Sequence, residues 1–259
     1  MKSRIGQFIG QAQRHRLPWV SIVLGLALWE IVGGLLPRIL FAPFSATIAE
    51  LFSGFTSFDL PIAIAASALE TFAGFVLATL VALPLGFLLG RNRTCSRIAD
   101  PLLVALYAIP PVALIPFLII WFGLFIESRI ALIFVMTFFE MLVITAGGAR
   151  SIEPRLLDVG RSFNASFNQS FCKVLLPASL PFLFTALRVG LVRAIAGMIT
   201  SQLLLSPEYL GTRLLDSASK FDTAGVLAVI TVVALMGLAM QTLLVRIEKR
   251  VLLWERGLS

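Results

Sequence analysis

The chain has 259 residues, of which 58% are hydrophobic and only 14% charged, and its mean hydropathy is +0.95. Soluble domains are about half apolar and about a quarter charged, so the composition excludes a soluble domain and marks an integral membrane protein. The net charge of +7 lies in short Lys/Arg clusters between apolar runs, as in the flanks of membrane spans, which excludes nucleic acid as a partner.

Cys95 and Cys172 are too few and too far apart for a disulfide framework, and no Cys/His grouping has metal-ligand spacing. The single histidine, His15, sits in a basic N-terminal flank. Neither a metal nor a cofactor is therefore expected, and scattered carboxylates with one histidine offer no catalytic cluster for a membrane-embedded enzyme.

Lys2, Arg4, Arg14 and Arg16 precede an apolar run from about 18 to 37. At roughly twenty residues it is long for a signal core and has no small-x-small cleavage site after it, so it reads as the first span. Residues 38–63 form an external connection carrying a short amphipathic stretch, Ala46–Phe52, which reads as a surface helix. The second span, about 64–90, ends in Gly86-Phe-Leu-Leu-Gly90, a small-xxx-small pattern that lets helices approach closely in lipid.

The third apolar run, about 99–123, is interrupted by Pro110, Pro111 and Pro116. Each proline removes a backbone donor and clashes with the preceding turn, so this helix is predicted to be broken at Pro110-Pro111. Irregular backbone at membrane depth must be buried in protein or line a watery cavity, which makes the break a candidate element of a translocation path; a packing kink is the plainer alternative. Glu127 and Arg129 then read as a short external turn before the fourth span, about 129–149.

A polar insert follows at 150–178. The fifth span, about 179–205, carries Ala186, Gly190, Ala194 and Gly197 at spacings that place small residues along one face, predicting a close helix contact. A polar segment from Glu208 to Asp222 leads to the sixth span, about 223–246, and a basic tail closes the chain. The expected fold is thus all-α with six transmembrane helices. Its parts are a first segment 1–63 with the N-terminal flank, a core 64–246 and a tail 247–259. Lys and Arg number about fifteen on the side of both termini, the 91–97 turn and the 150–173 loop, against four on the other. The expected location of both termini and of the insert is therefore cytoplasmic.

Within the insert the spacing is regular: Asp158, Val159 and Gly160, then Asn164, then after nine residues Val174, Leu176 and Pro177. This resembles the "EAA" loop of ABC-importer membrane subunits, Glu-Ala-Ala, three residues, Gly, nine residues, Ile, one residue, Leu-Pro. Every position is in register, with Asp for Glu, Val and Gly for the two Ala, Asn for Gly and Val for Ile. The run Ala108 to Pro116 leading to Trp121-Phe-Gly123, the Arg161–Ser166 segment, and Leu176–Pro181 with Arg188 and Arg193 look like the nitrate/sulfonate/taurine branch of binding-protein-dependent ABC permeases. The likeness covers about residues 40–246.

The resemblance implies a bacterial inner-membrane importer: two copies of this permease, two cytosolic ATP-hydrolysing subunits, and a periplasmic or lipid-anchored solute-binding protein. No G-x-x-x-x-G-K-[ST] phosphate loop occurs in the chain, so ATP chemistry is expected in a partner. It also implies that a helix within about 154–168 seats in a groove on the ATPase. Leu156, Leu157, Val159 and Phe163 suit an apolar anchor and Asp158 suits the positive end of that helix. Arg161 can pair with a partner acid, and Asn164 tolerates the left-handed turn that glycine makes in the family. A secondary transporter or channel would not need this spacing and would often show an internal hydropathy repeat, which the chain lacks.

Ionisable residues inside spans are functional-site candidates by default. Glu140 lies about ten residues, roughly 15 Å, in from Arg150, and Arg188 and Arg193 lie at comparable depth in the fifth span. An unpaired carboxylate there would be protonated or costly, so Glu140 is expected to pair with one of the two arginines. Such a pair either fastens two helices or offsets positive charge on the route. The second case would move selectivity from nitrate- or sulfonate-like anions towards a neutral or cationic solute such as a vitamin precursor.

Overall fold

The computed structural model describes residues 2–153, 155, 162 and 166–252, with side chains from residue 19 on except those of residues 167, 168 and 171. Among the described residues the chain is helical, with no strand. The helices are α1 (Lys2–Leu35), α2 (Phe44–Thr56), α3 (Asp59–Arg91), α4 (Arg93–Tyr107), α5 (Ile115–Phe122), α6 (Ile126–Ser151), α7 (Leu176–Leu204), α8 (Tyr209–Ser219) and α9 (Thr223–Val251). A single α-turn, Phe167–Ser170, and a π-helical stretch, Phe171–Leu175, lead directly into α7. The chain divides into two compact units, residues 1–61 with 213–232 and residues 62–212 with 233–259.

Four of these helical runs are long and apolar enough to cross a membrane: Asp59–Arg91, Ile126–Ser151, Cys172–Leu204 and Thr223–Val251. A hydrocarbon core about 30 Å thick needs about 20 helical residues, and the shortest of the four has 26. The predicted third span is two helices, Arg93–Tyr107 and Pro111–Phe122, bent by 84°; counted as one, it makes a fifth. The predicted first span corresponds to the shorter apolar stretch Trp19–Leu35 of α1.

In the first unit, α1 is tied to the start of α2. The Trp29 indole donates to the Ala42 carbonyl (3.1 Å), and the Glu30 carboxylate accepts from the Ser45 amide (2.8 Å) and hydroxyl (2.7 Å). A carboxylate at that place satisfies an otherwise orphan N–H of the first turn and meets the positive end of α2. The expected surface helix at 46–52 is thus the middle of α2. Residues 209–219, expected only as a polar segment, form α8.

The second unit has its core where α3, α6 and α7 approach closely. Ala78, Ala82 and Leu89 of α3 pack on Met141, Leu142 and Ala146 of α6, while Ile133 of α6 packs on Ala194 and Met198 of α7 and on Met236 of α9. Small residues set these distances. A Cβ added at Gly90 would lie 2.6 Å from the Ala146 carbonyl oxygen, and one at Gly197 would lie 3.0 Å from the Ile133 Cα. Ala186, Gly190, Ala194 and Gly197 are all buried on α7, so the predicted small-residue stripe is a helix contact.

Arg129 corrects the sequence reading. It was expected in an external turn; it stands in the first turn of α6, 95% sequestered, against an equally hidden Glu70 of α3. A glutamate in an apolar run without an obvious neighbour in sequence gives no periodic signal, so its partner on another helix is visible only in three dimensions.

Candidate functional site

The broken third span builds the site. Pro110 and Pro111 lack amide hydrogens, and each proline biases its predecessor away from helical backbone; α4 accordingly ends at Tyr107, and Pro110 is extended (φ −60°, ψ 122°). A single 3₁₀ turn, Pro111–Leu114, restarts the helix, with Pro116 in the first turn of α5, where its missing N–H costs nothing. Gly123 closes α5 at φ 71°, a left-handed conformation that glycine adopts without penalty.

At this break lies a cavity of about 240 Å³ whose lining includes Tyr107, Pro110, Pro111, Met136, Glu140 and Arg193. Four of the five residues singled out in sequence as path or intramembrane charge, Pro110, Pro111, Glu140 and Arg193, therefore meet in one place. An Arg193 guanidinium nitrogen lies 2.6 Å from Glu140 Oε1, and the Tyr107 hydroxyl donates to the same oxygen at 3.2 Å. The Glu140 side chain is 19% exposed and that of Arg193 49%, so the acid is held inside while the guanidinium reaches into the opening. Glu140 comes from α6, Arg193 from α7 and Tyr107 from the end of α4, so three helices fix the group.

Arg188, the fifth residue, is elsewhere. Five residues separate it from Arg193, about 140° around an α-helix, and it pairs instead with Glu248 of α9, while Gln241 donates to the Arg188 carbonyl (2.9 Å). Depth along the sequence made the two arginines equivalent partners for Glu140. Azimuth separates them. By its charge Glu248 reads as part of the tail, but it belongs to α9.

A second charged group escaped the sequence reading. Arg129 meets Glu70 Oε1 through Nε (2.9 Å) and a terminal nitrogen (2.7 Å), and Gln202 Nε2 of α7 donates to Glu70 Oε2 (2.8 Å). Gln202 Oε1 accepts from Ser67 (3.2 Å) and from the Gly211 amide (3.2 Å), and the Arg129 guanidinium lies over the Tyr209 ring at 5.7 Å. Both carboxylate oxygens are satisfied, which is the condition for a buried charge to persist. This group joins α3, α6 and α7 and is sealed from solvent.

At the other end of α6, Arg150 pairs with Asp100 of α4 at 2.7 Å and with the Ser96 hydroxyl at 2.6 Å. The Asn92 side chain accepts from the Thr94 and Cys95 amides and so caps α4. The insert begins there. Leu156, Leu157, Asp158, Val159, Gly160, Arg161, Phe163 and Asn164 lie outside the described residues, and Pro177 sits half-buried in the first turn of α7.

Comparison with known proteins gives a consistent result. Residues 82–253 match the family model described as "Binding-protein-dependent transport system inner membrane component". The chain is 30% identical over 254 residues to the putative aliphatic sulfonates transport permease protein SsuC of Bacillus subtilis, covering 94% of this chain and 91% of that one. It is 27% identical to the formylaminopyrimidine transport permease protein ThiX of Halalkalibacterium halodurans, covering 92% and 96%. A chain of the MetNI methionine ABC transporter, solved in inward-facing conformations, superposes with a TM-score of 0.67 at 18% identity, covering 76% of this chain and 97% of that one.

Proposed function

This chain belongs to the binding-protein-dependent transport system inner membrane components, as a transport permease and not an enzyme, and from that membership we propose the solute and the machinery it serves. The solute is a small anion of the nitrate/sulfonate/taurine type. The observation that carries this reading is the near-full-length likeness to an aliphatic sulfonates permease, supported by a half-exposed Arg193 at a cavity in the broken span. The route passes the Pro110-Pro111 break, with Glu140 and Arg193 on its wall. Arg188, paired away from the cavity, holds α7 to α9.

The partners are two cytosolic ATPase subunits, a solute-binding protein on the opposite face and a second copy of this chain. Both termini and the 150–178 insert face the cytoplasm, as the distribution of Lys and Arg supports. Within the insert, Leu156, Leu157, Val159 and Phe163 anchor in the ATPase groove, Asp158 and Gly160 begin the coupling helix, and Arg161 pairs with an acid of the partner. Asn164 makes the turn, and Pro177 starts the span that the motion drives. Closure of the ATPase dimer thereby turns the permease from inward- to outward-facing.

The experiment is uptake of radiolabelled nitrate, ethanesulfonate and taurine by cells with and without the chain, together with pull-down of the ATPase by wild type and by Phe163→Asp. Deletion is expected to abolish uptake of at least one of the three. Phe163→Asp, which buries an uncompensated charge in the docking contact, is expected to insert normally and lose the ATPase. Unchanged uptake of all three solutes refutes the substrate class, and undiminished co-purification refutes the docking site.

A further inference from the structure

We propose that the cavity at the Pro110–Pro111 break is a binding site for a short zwitterion, with Arg193 receiving its acid group and Glu140 its ammonium group; this rests on the proposed nitrate/sulfonate/taurine class and narrows it to members that carry an ammonium group as well as the acid. The cavity of about 240 Å³ lies below the ~300–1,000 Å³ of sites for drug-sized ligands, a size that suits a compact solute. Its wall carries one full negative and one full positive charge in contact at 2.6 Å, so the resting site is neutral.

Neutrality decides the ligand class. A simple anion that takes up the remaining N–H groups of the half-exposed Arg193 adds an unbalanced negative charge beside Glu140 inside the bundle. A simple cation at Glu140 adds an unbalanced positive charge beside the guanidinium in the same way. A molecule bearing both charges sets its acid group on the guanidinium and its ammonium group on the carboxylate, and the site stays neutral with no uncompensated charge. The Tyr107 hydroxyl, on the helix that ends at the break, donates to Glu140 and keeps the carboxylate oriented while the ammonium group is received.

Comparison with the other intramembrane pair separates this site from a plain fastener. Glu70 and Arg129 are 2% and 5% exposed and joined through two guanidinium nitrogens, with Gln202 closing the second carboxylate oxygen. Glu140 and Arg193 are joined through one guanidinium nitrogen, are 19% and 49% exposed, and face a cavity. The first pair is closed to any ligand; the second is reachable.

Equilibrium binding to the full-length chain in lipid nanodiscs tests the assignment, with taurine, ethanesulfonate and ethylamine as probes that carry both charges, the acid alone and the ammonium alone. Taurine is expected to bind at least about tenfold more tightly than either single-charge probe. In Glu140→Gln the order of taurine and ethanesulfonate should reverse, because Arg193 is then free for an anion. Ethanesulfonate binding as tightly as taurine to the wild type, or no saturable binding of any probe, overturns the proposal whether or not the variant folds. Chain-dependent uptake of sulfonates in cells without the taurine preference in nanodiscs would sink the zwitterion site alone. Loss of that dependence would sink the proposed substrate class beneath it.

Discussion

Removing one partner of the Glu70–Arg129 pair is the sharpest test of how the second unit is held. Glu70→Gln keeps the side chain's shape and an acceptor for Gln202 while deleting the charge opposite Arg129. The guanidinium, 5% exposed, is then left with the Ser206 hydroxyl at 3.4 Å and the face of Tyr209. Breaking a buried pair in this way costs about 3–5 kcal/mol, a large share of the roughly 5–15 kcal/mol that holds a typical protein together. Arg129→Met makes the complementary cut, leaving Glu70 with one amide donor. The double variant Glu70→Leu/Arg129→Met removes both charges and keeps apolar volume, so it should recover most of the loss, Gln202 still having Ser67 as an acceptor. Equilibrium unfolding of the purified protein in detergent, followed by helical circular dichroism as denaturing detergent is added, measures the three variants against the wild type. Single variants within about 0.5 kcal/mol of wild type, or a double variant as damaged as the two singles added together, would refute the argument that this pair is a desolvated tie between helices.

Helix approach and membrane sidedness give two further expectations. Gly90→Ala forces a methyl against the Ala146 carbonyl and the Ala149 side chain and should cost about 1–3 kcal/mol in the same assay. Gly147→Ala on α6, where nothing lies within 4 Å, should be neutral or gain up to about 1 kcal/mol; equal effects at the two positions would contradict the close approach of α3 and α6. Cys172 is exposed and Cys95 partly so, and a membrane-impermeant maleimide should label both in inside-out vesicles and neither in intact spheroplasts. Labelling of either cysteine from outside would reverse the proposed orientation.

The apolar composition, the length of the runs and the positions of proline carry their structural meaning locally, and these the sequence determined by itself. A span must satisfy its backbone internally in lipid, so runs of about membrane length become helices wherever they stand. The adjacent Pro110 and Pro111 break the third run because two successive residues lack the amide a helix needs, and small residues three or four apart on α7 face one way because the helix period requires it. The regular spacing of 158–177 was likewise a matter of counting, and it led to the family that residues 82–253 match.

Partner choice among charges was settled only by the tertiary structure. Glu140 had two arginines at similar depth, and only the rotation of α7 against α6 and α9 sends Arg193 to Glu140 and Arg188 to Glu248. Glu70 and Arg129 are 59 residues apart, and the arginine reads as a loop flank until packing shows its helix beginning three residues earlier. Charge enters a hydropathy profile as a penalty at one position. The compensation for that penalty comes from another helix, and no periodicity within either segment encodes it.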